Sequence, residues 1–293
     1  MVLSIGEILA DIIVGEDGKI EWHAGGAPFN VAVNCARCGT KTAFIGRVGN
    51  DPVGRYVLRK AGGCGLQNAD IQIDPKRNTT LAFVSLQNGE RDFAFFRRDT
   101  ADYHIDYDSI NFYNYGKPDI LHLGSLMFSE KDGRSFAKKI LLKAKKEKII
   151  LSFDVNLRSD LFSGTDEAKK AFRPALEQAD ILKFSDDEIM CLSGKDNITD
   201  AAEVFSKNNR LLFVTMGAKG SVCFYNGKSI YEDTEKITPV DTTGAGDAFF
   251  GAVLASLSGK SIENLSDKDI GGALRLANRK GAETTLFKGA LEV

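Results

Sequence analysis

Short apolar runs rich in β-branched residues alternate along the chain with longer segments whose apolar residues recur at helical spacing. Such runs are typical of buried parallel strands, and such segments are typical of the crossover helices between them. The clearest predicted strands are residues 2–6, 42–46, 119–124, 149–154, 181–184 and 211–216, and the predicted helices are residues 29–38, 52–61, 130–147, 166–178, 199–207, 245–257 and 267–280. This order predicts an α/β fold with an open, mainly parallel sheet in one main domain.

Two regions depart from this alternation, residues 12–23 and 80–97, and each is typical of two strands around a tight turn. The turns are predicted at residues 15–18 and 87–90, where glycine and polar residues cluster. We expect the two pairs to form a small antiparallel sheet beside the main one. It would close over a ligand at the carboxyl ends of the parallel strands, where open α/β sheets usually bind their ligands.

The composition of the chain excludes several classes of protein. Its 293 residues are 43% hydrophobic and 27% charged, which is enough to bury a sizeable core. Lys and Arg total 38 against 40 for Asp and Glu, so there is no basic excess to hold nucleic acid. No run approaches the ~18 apolar residues of a membrane span, and five scattered cysteines do not suggest a disulfide framework. We therefore expect a cytoplasmic protein with neither a nucleic-acid nor a membrane partner.

The segment from residue 241 to residue 251, DTTGAGDAFFG, carries the clearest chemical signal. Its glycine-rich turn runs directly into an apolar helix, whose first amides lack intrahelical partners. Gly244, Ala245 and Gly246 are small enough for these amides to approach an anion closely, and the helix dipole adds a favourable potential. Asp247 stands beside this cradle, where its carboxylate can take the proton of a substrate hydroxyl as the hydroxyl attacks phosphorus.

Other interpretations of these residues remain open at this point. An aspartate at position 247 can also stabilise a helix N-terminus without any catalytic role. A Walker-type phosphate loop is absent, because Val222 and Leu254 stand where its first glycine belongs. A dinucleotide-dependent oxidoreductase would also be α/β, but no G-x-G-x-x-G opens a helix after the first strand.

The sequence resembles the ribokinase-like, phosphofructokinase B-type carbohydrate kinases, and most closely their fructokinase branch. Two family signatures carry the resemblance: GGAPFNVA at residues 25–32, followed by Gly39 and Gly49, and the stretch at residues 241–254. The resemblance covers essentially residues 1–290. It implies one ribokinase-like kinase domain over residues 1–293, with a three-layer α/β/α Rossmann-like sheet and a small antiparallel lid formed by the strands at about 12–23 and 80–97.

The resemblance also implies roles for residues around the sugar and the transferred phosphate. Asp247 matches the family's catalytic base, and the backbone of Gly244, Ala245 and Gly246 matches its anion hole. The positions that match sugar contacts are Asp11, Gly25, Gly26, Asn30, Arg97, Arg158 and Asp247. Arg97 belongs to a lid-strand motif in residues 89–102, and Arg158 ends a D-x-N-x-R motif near the transferred phosphate. Without the resemblance, Asp11 is more simply a turn residue.

A further set of residues matches the nucleotide and cation positions of the family. The nucleotide set is Lys183, Thr215, Gly217, Lys219, Gly220, Gly244, Gly246, Asn278 and Ala282. Glu188 matches an acid that organises magnesium through water, although Ser185 replaces the asparagine usual in that motif. The positions that match a potassium site are Asp241, Thr243, Arg279, Gly281 and Thr285.

The sequence therefore predicts an ATP-dependent sugar kinase that uses Mg²⁺ and K⁺ and converts fructose to fructose 6-phosphate. A 2-keto-3-deoxygluconate kinase is the first alternative, because Arg97 and Arg158 can equally hold a sugar-acid carboxylate. A ribokinase-type activity and a non-catalytic sugar sensor are the others. Because exposed lid strands of relatives often pair, the resemblance also implies a homodimer through the lid.

Overall fold

The computed structural model describes residues 1–15, 18–66, 68–87, 90–207 and 209–291, with only the backbone of residues 84–87 and 90–93. The strands are β1 Val2–Ile5, β2 Leu9–Val14, β3 Ile20–Gly25, β4 Thr42–Gly49, β5 Asn68–Asp74, β6 Leu81–Gln87, β7 Glu90–Phe96, β8 Ile120–Leu123, β9 Ile150–Asp154, β10 Ile181–Ser185, β11 Leu211–Thr215, β12 Ser221–Tyr225 and β13 Lys228–Glu232. The α-helices are α1 Ala27–Arg37, α2 Pro52–Gly63, α3 Lys131–Glu147, α4 Thr165–Gln178, α5 Asp186–Ser193, α6 Ile198–Phe205, α7 Ala245–Leu257 and α8 Asp267–Thr284.

The main sheet has nine strands in the described part of the chain, in the order β13-β12-β11-β10-β9-β8-β1-β4-β5. Neighbouring strands from β11 to β5 are parallel. The β11–β12 and β12–β13 pairs at one edge are antiparallel. The predicted open, mainly parallel sheet is therefore confirmed.

Helices cover both faces of this sheet because successive side chains of a buried strand point to opposite sides. In β1, Leu3 and Ile5 pack into a core that also contains Phe136 of α3. Val2, which precedes Leu3 and therefore points to the opposite face, packs on the other side with Leu274 of α8. Both faces of the central strands are thus apolar and buried, and the predicted three-layer α/β/α arrangement is confirmed.

A second sheet, with four strands among the residues that the structure describes, has the order β3-β2-β6-β7. Its two predicted strand pairs, β2–β3 and β6–β7, are antiparallel, and a parallel β2–β6 pair joins them. Leu9 and Ala82 of this sheet pack against Leu126, which follows β8 of the main sheet. The predicted turn residues 16, 17, 88 and 89 lie outside the described residues.

Sequence patterns did not reveal β5, α5 or the β12–β13 pair. Strand β5 lies at a sheet edge and is largely polar, NADIQID, so it lacks an apolar run. Helix α5 has only eight residues, and its sequence begins with three acids, so the segment is typical of a loop. For the β12–β13 hairpin a local signal was present but was overlooked, the dipeptide Asn226-Gly227. Both residues have positive φ, as type I′ turns require. Within the described residues, no helix combines the length and apolarity that a membrane crossing demands.

Candidate active site

A cavity of about 240 Å³ lies at the carboxyl ends of the parallel strands, between the main sheet and the small sheet. Its lining from the small sheet is Leu9, Asp11, Ile13, His23, Ala82 and Phe95. The opposite wall is Glu7, Gly26, Ala27, Asn30, Leu126, Asn156, Arg158, Lys183, Thr242, Thr243, Gly244, Gly246, Asp247 and Gly289. The cavity therefore joins both signature segments found in the sequence.

The N-terminus of α7 opens onto this cavity. Gly244 is the N-cap with φ 77°, a left-handed conformation that favours glycine. A Cβ at this position would lie 2.6 Å from the Cα of Ala290, so the close approach of the C-terminal segment also requires glycine. A Cβ at Gly246 would lie 3.0 Å from Nζ of Lys183. First-turn amides and an ammonium group therefore border the same space, which suits an anion.

Asp247, in the first turn of α7, is positioned by the first signature. Nδ2 of Asn30 donates a hydrogen bond to its Oδ2 at 2.8 Å. Oδ1 of Asn30 is buried and has no hydrogen-bond partner in the described part of the chain. Burial raises the pKa of Asp247, while Asn30, Lys183 and Arg158 act in the opposite direction. An acid with a raised pKa and an incomplete set of partners is suited to accept a proton.

Asp11 lies in β2, opposite His23 of β3 in the strand register. A Cβ at Gly25 would lie 1.9 Å from Oδ2 of Asp11, so only glycine leaves room for this carboxyl group. Gly26 is equally constrained, because its φ is 113° and a Cβ would lie 2.4 Å from the carbonyl oxygen of Glu7. Burial raises the pKa of Asp11 to about 7, and Arg158 lowers it. The glycine pair thus shapes the wall that carries Asp11.

A buried ion pair lies beneath the anion cradle. Nζ of Lys183 donates to both carboxyl oxygens of Asp154, at 3.0 and 2.9 Å. Burial opposes the charge of Lys183, but Asp154, Glu188 and Asp247 outweigh it and raise the pKa of the ammonium group. Lys183 therefore carries a fixed positive charge beside Gly246.

Glu188 organises the loop that leads to Arg158. Its Oε1 accepts from the amide of Leu157 at 2.7 Å, and its Oε2 accepts from the amide of Ser185 at 2.8 Å. Ser185 caps α5 by accepting from the amide of Glu188. Arg158 lines the cavity and interacts electrostatically with Asp11 and Asp247. Glu188 itself is outside the cavity lining.

Arg97 lies just beyond β7 and is buried in a polar network. Its Nε donates to Oδ2 of Asp102 at 2.8 Å, and its Nη1 donates to Oγ of Ser129 at 2.6 Å. Oδ1 of Asp102 also accepts from the hydroxyls of Thr80 and Thr100. Arg97 is absent from the cavity lining, and its Nη2 has no hydrogen-bond partner among the described residues. The sugar contact of Arg97 stays a prediction.

The residues that match nucleotide positions lie after β11 and on α8. Thr215 ends β11, and a 3₁₀ turn at Gly217–Lys219 leads to Gly220, with Gly217 and Gly220 both at positive φ. On α8, Asn278 accepts from Ser221 and donates to the carbonyls of Glu232 and Asp233. This amide therefore ties α8 to the β12–β13 hairpin. The nucleotide contacts of Asn278 and of Ala282 stay predictions.

The residues that match a potassium site surround the start of the second signature. Oδ1 of Asp241 accepts from the amide of Thr243 at 2.7 Å, and Oδ2 accepts from that of Gly289 at 2.9 Å. The carbonyl of Thr285 accepts from the amide of Asp241. A Cβ at Gly281 would lie 3.2 Å from the carbonyl of Ala245, so α8 packs closely on α7. The side chain of Arg279 instead points to Glu283 at the surface.

Two ionisable residues of the cavity lining, Glu7 and His23, were missed by sequence reasoning. Glu7 is 1% exposed, and neither of its carboxyl oxygens has a hydrogen-bond partner elsewhere in the described part of the chain. His23 packs against Gly289, where a Cβ would lie 2.9 Å from its Nδ1. An acid directly after the first strand, between Gly6 and Ile8, was the available signal for Glu7. His23 carried no local signal, because only the fold brings it to the cavity.

Comparison with known proteins gives a consistent assignment. Residues 1–292 match the pfkB family carbohydrate kinase model. The chain is 35% identical, over an alignment 303 positions long, to a probable fructokinase-4 of Arabidopsis thaliana, and the match covers 99% of this chain and 92% of the relative. It is 33% identical to a fructokinase of Vibrio alginolyticus, with 98% and 93% of the two chains covered.

The fold comparison agrees with the sequence comparison. A double mutant of Vibrio cholerae O395 fructokinase, solved in its fructose-, ADP- and potassium-bound form, superposes with a TM-score of 0.86. The two proteins share 31% sequence identity, and the match covers 99% of this chain and 93% of the other. Because the match covers 99% of this chain, it includes both sheets.

Proposed function

Because the chain belongs to the pfkB family of carbohydrate kinases, we propose that it is an ATP-dependent fructokinase. It transfers the γ-phosphate of ATP to the 6-hydroxyl of fructose and releases fructose 6-phosphate and ADP. The relatives named above support the choice of sugar, since the curated ones are fructokinases and the solved one binds fructose, ADP and potassium.

One observation carries the proposal: an acid with a raised pKa and the amides of a helix N-terminus border the same cavity as the sugar-side residues. The acid is Asp247, and the amides are those of Gly244, Ala245 and Gly246. Asp11 and Asn30 stand on the sugar side of the cavity. This arrangement provides a base and an anion hole within reach of one bound alcohol.

In the proposed reaction, Asp247 accepts the proton of the fructose 6-hydroxyl as that oxygen attacks the γ-phosphorus. The O–H bond breaks, the new P–O bond forms, and ADP leaves with the electrons of the cleaved bond. Asn30 holds Asp247 in place through its 2.8 Å hydrogen bond. The first-turn amides of α7, Lys183 and Arg158 stabilise negative charge on the transferred group.

On the sugar side, we propose that Asp11, Asn30 and the backbone of Gly25 and Gly26 contact the sugar hydroxyls. The small sheet that carries Asp11 then acts as a lid on the main sheet. Since the lid and the main sheet share one active site, residues 1–293 work as one kinase domain. Closure of such a lid excludes water that would otherwise accept the phosphate. Arg97 supports this lid from beneath through Asp102 and Ser129.

On the nucleotide side, Thr215, Gly217, Lys219 and Gly220 would form one wall of the ATP pocket, with the Asn278–Ala282 segment of α8 as the other. Such walls bind adenine mainly by shape and backbone contacts.

The donor sets fit both metal ions. Each oxygen of Glu188 accepts one backbone amide and keeps a lone pair for a magnesium-bound water. Magnesium usually binds through few protein ligands and the substrate phosphates, and it neutralises phosphate charge there. Asp241 and the backbone around Thr243, Arg279, Gly281 and Thr285 offer hard oxygen atoms, which suit potassium. Potassium would steady the loop before α7.

A coupled assay with fructose, ribose and 2-keto-3-deoxygluconate tests the choice of sugar. We expect fructose to give the highest kcat/KM. Negligible phosphorylation of fructose at millimolar sugar, together with rapid turnover of the keto acid, would replace the fructokinase assignment with the keto-acid kinase. Turnover of ribose alone would favour a ribokinase-type activity, and sugar binding without turnover would indicate a sensor.

We also propose a homodimer that pairs through the small sheet. Within the described residues, β3 and β7 are the outer strands of this sheet, and the apolar side chains of Ile20, Trp22 and Phe96 on it are 58%, 41% and 59% exposed. Sedimentation analysis distinguishes the dimer from a monomer. A cytoplasmic location is proposed as well, since Cys35, Cys38, Cys64, Cys191 and Cys223 are all free thiols.

A further inference from the structure

We propose that Glu7 is a further sugar-binding residue, whose carboxyl group pairs with a hydroxyl of the bound substrate. Glu7 follows β1 at the carboxyl end of the parallel sheet and lines the cavity that holds Asp11 and Asp247. The inference rests on the proposed function, because it assigns a partner to the sugar of that reaction.

The main observation is an acid without partners in a place that normally demands them. Glu7 is 1% exposed, and neither Oε1 nor Oε2 has a hydrogen-bond partner elsewhere in the residues that the structure describes. Buried polar groups are almost always paired, since leaving one unpaired costs its full desolvation energy. A ligand hydroxyl entering the cavity supplies the missing partner.

The surrounding backbone is shaped around this side chain. A Cβ at Gly124 would lie 2.7 Å from Oε2 of Glu7, and the carbonyl of Glu7 leaves no room for a Cβ at Gly26. Gly124 follows β8, and Gly26 is the N-cap of α1. The glycine after β8 thus leaves space for the carboxyl group of Glu7, and the glycine that begins α1 packs against the backbone of Glu7.

The charge state of Glu7 gives the inference a second readout. Burial raises its pKa to about 8; a hydrogen bond with its own backbone and the charge of Arg97 lower it, while the nearby carboxyls of Asp102 and Asp247 raise it. The folded-state pKa exceeds the ordinary value of 4.5. Between these values the folded chain keeps a proton that the unfolded chain has lost, so Glu7 makes the protein less stable as pH rises toward 8. A neutral replacement removes this loss.

The test is Glu7→Gln in the full-length enzyme, with Glu203→Gln at an exposed position of α6 as the matched control. At pH 9, where Glu7 is ionised, we expect the KM for fructose to rise about tenfold or more, as for loss of a hydrogen bond to a charged group. The KM for ATP stays unchanged. Without ligands at pH 9, Glu7→Gln unfolds at a higher temperature than the wild type, by about 3 °C or more. Glu203→Gln changes none of these values.

Fructose analogues that lack a single hydroxyl, at carbon 1, 3 or 4, identify the contact. For one analogue, the wild type and Glu7→Gln should have the same KM, because the group that Glu7 binds is already missing. A Glu7→Gln enzyme that does not fold, or whose KM for fructose is unchanged while the wild type is active, overturns the inference and leaves the fructokinase proposal intact. A wild type inert with every sugar tested rejects the proposed function and the inference with it.

Discussion

Asp102 and Glu7 are both buried acids within electrostatic reach of Arg97, yet their surroundings are opposite. Asp102 accepts three hydrogen bonds, from Arg97, Thr80 and Thr100, and lies outside the cavity lining. Glu7 accepts none from other described residues and lines the cavity. An acid with all its partners supplied by the protein holds the fold together, whereas an acid without them is available to a ligand.

Asp247 belongs with Glu7 in this comparison, because it lines the cavity and has Asn30 as its one side-chain hydrogen-bond partner among the described residues. Its replacement should therefore affect chemistry and not folding.

The largest effect is expected for Asp247→Asn, which removes the proposed base and keeps the shape of the side chain. We expect kcat to fall about 10³-fold, within the range for general-base loss. Fructose and ATP should still bind, and the unfolding temperature should stay the same or rise, because the pKa of Asp247 is raised by burial. Steady-state kinetics, calorimetric titration and thermal unfolding measure these quantities. Undiminished kcat would reject Asp247 as the base.

The next largest effect is expected for Asp102→Asn, and it concerns stability. The substitution leaves the guanidinium of Arg97 buried, at 2% side-chain exposure, without its anionic partner. Breaking a buried pair in this way should lower the free energy of unfolding by about 3 kcal/mol. Urea denaturation measures the change. The control is Asp267→Asn, whose exposed pair with Lys228 is expected to contribute less than about 1 kcal/mol.

Kinetics on the same variant test the division between fold and site. We expect folded Asp102→Asn to retain the fructose KM within about threefold, since uncoupled sites usually behave independently. A large rise in KM without loss of stability would instead make the Arg97–Asp102 pair part of the sugar site. That outcome would favour the sugar contact that the sequence predicts for Arg97.

The sequence predicted the parts of the site that depend on local spacing. Gly244–Asp247 and the Gly25–Asn30 segment each combine a turn and a helix start within a few residues, so their chemistry can be recognised in one dimension. The predicted fold was confirmed for the same reason, because buried strands and crossover helices have local periodicities.

Other features depend on contacts between distant segments and have no local signal. Glu7 is unusual because no other described residue donates a hydrogen bond to its carboxyl group. Arg97 donates hydrogen bonds to Asp102, five positions away, and to Ser129 of another segment. Asn278 matches a nucleotide position, and the structure shows that its amide binds the β12–β13 hairpin; its nucleotide contact stays a prediction. The family resemblance identified Arg97 and Asn278 as candidates, whereas Glu7 was missed, because the contacts of all three are decided by packing between distant segments.

The smallest of the predicted effects is that of Gly25→Ala, which changes one wall of the cavity without removing a charged group. The added Cβ would lie 1.9 Å from Oδ2 of Asp11, so the carboxyl group must move away from its position. We expect the KM for fructose to rise about tenfold, equivalent to about 1.4 kcal/mol, with a smaller change in kcat because Asp247 is untouched.

Gly62→Ala is the matched control for Gly25→Ala, because a Cβ at Gly62 in α2 meets no atom within 4 Å. It should leave the KM for fructose unchanged. If Gly25→Ala also leaves this KM unchanged, then Asp11 does not hold the sugar. Glu7 and Asp247 then remain as the acids proposed to bind it. If Gly25→Ala and Glu7→Gln both raise the KM, their double variant shows by its additivity whether the two acids bind separate hydroxyls.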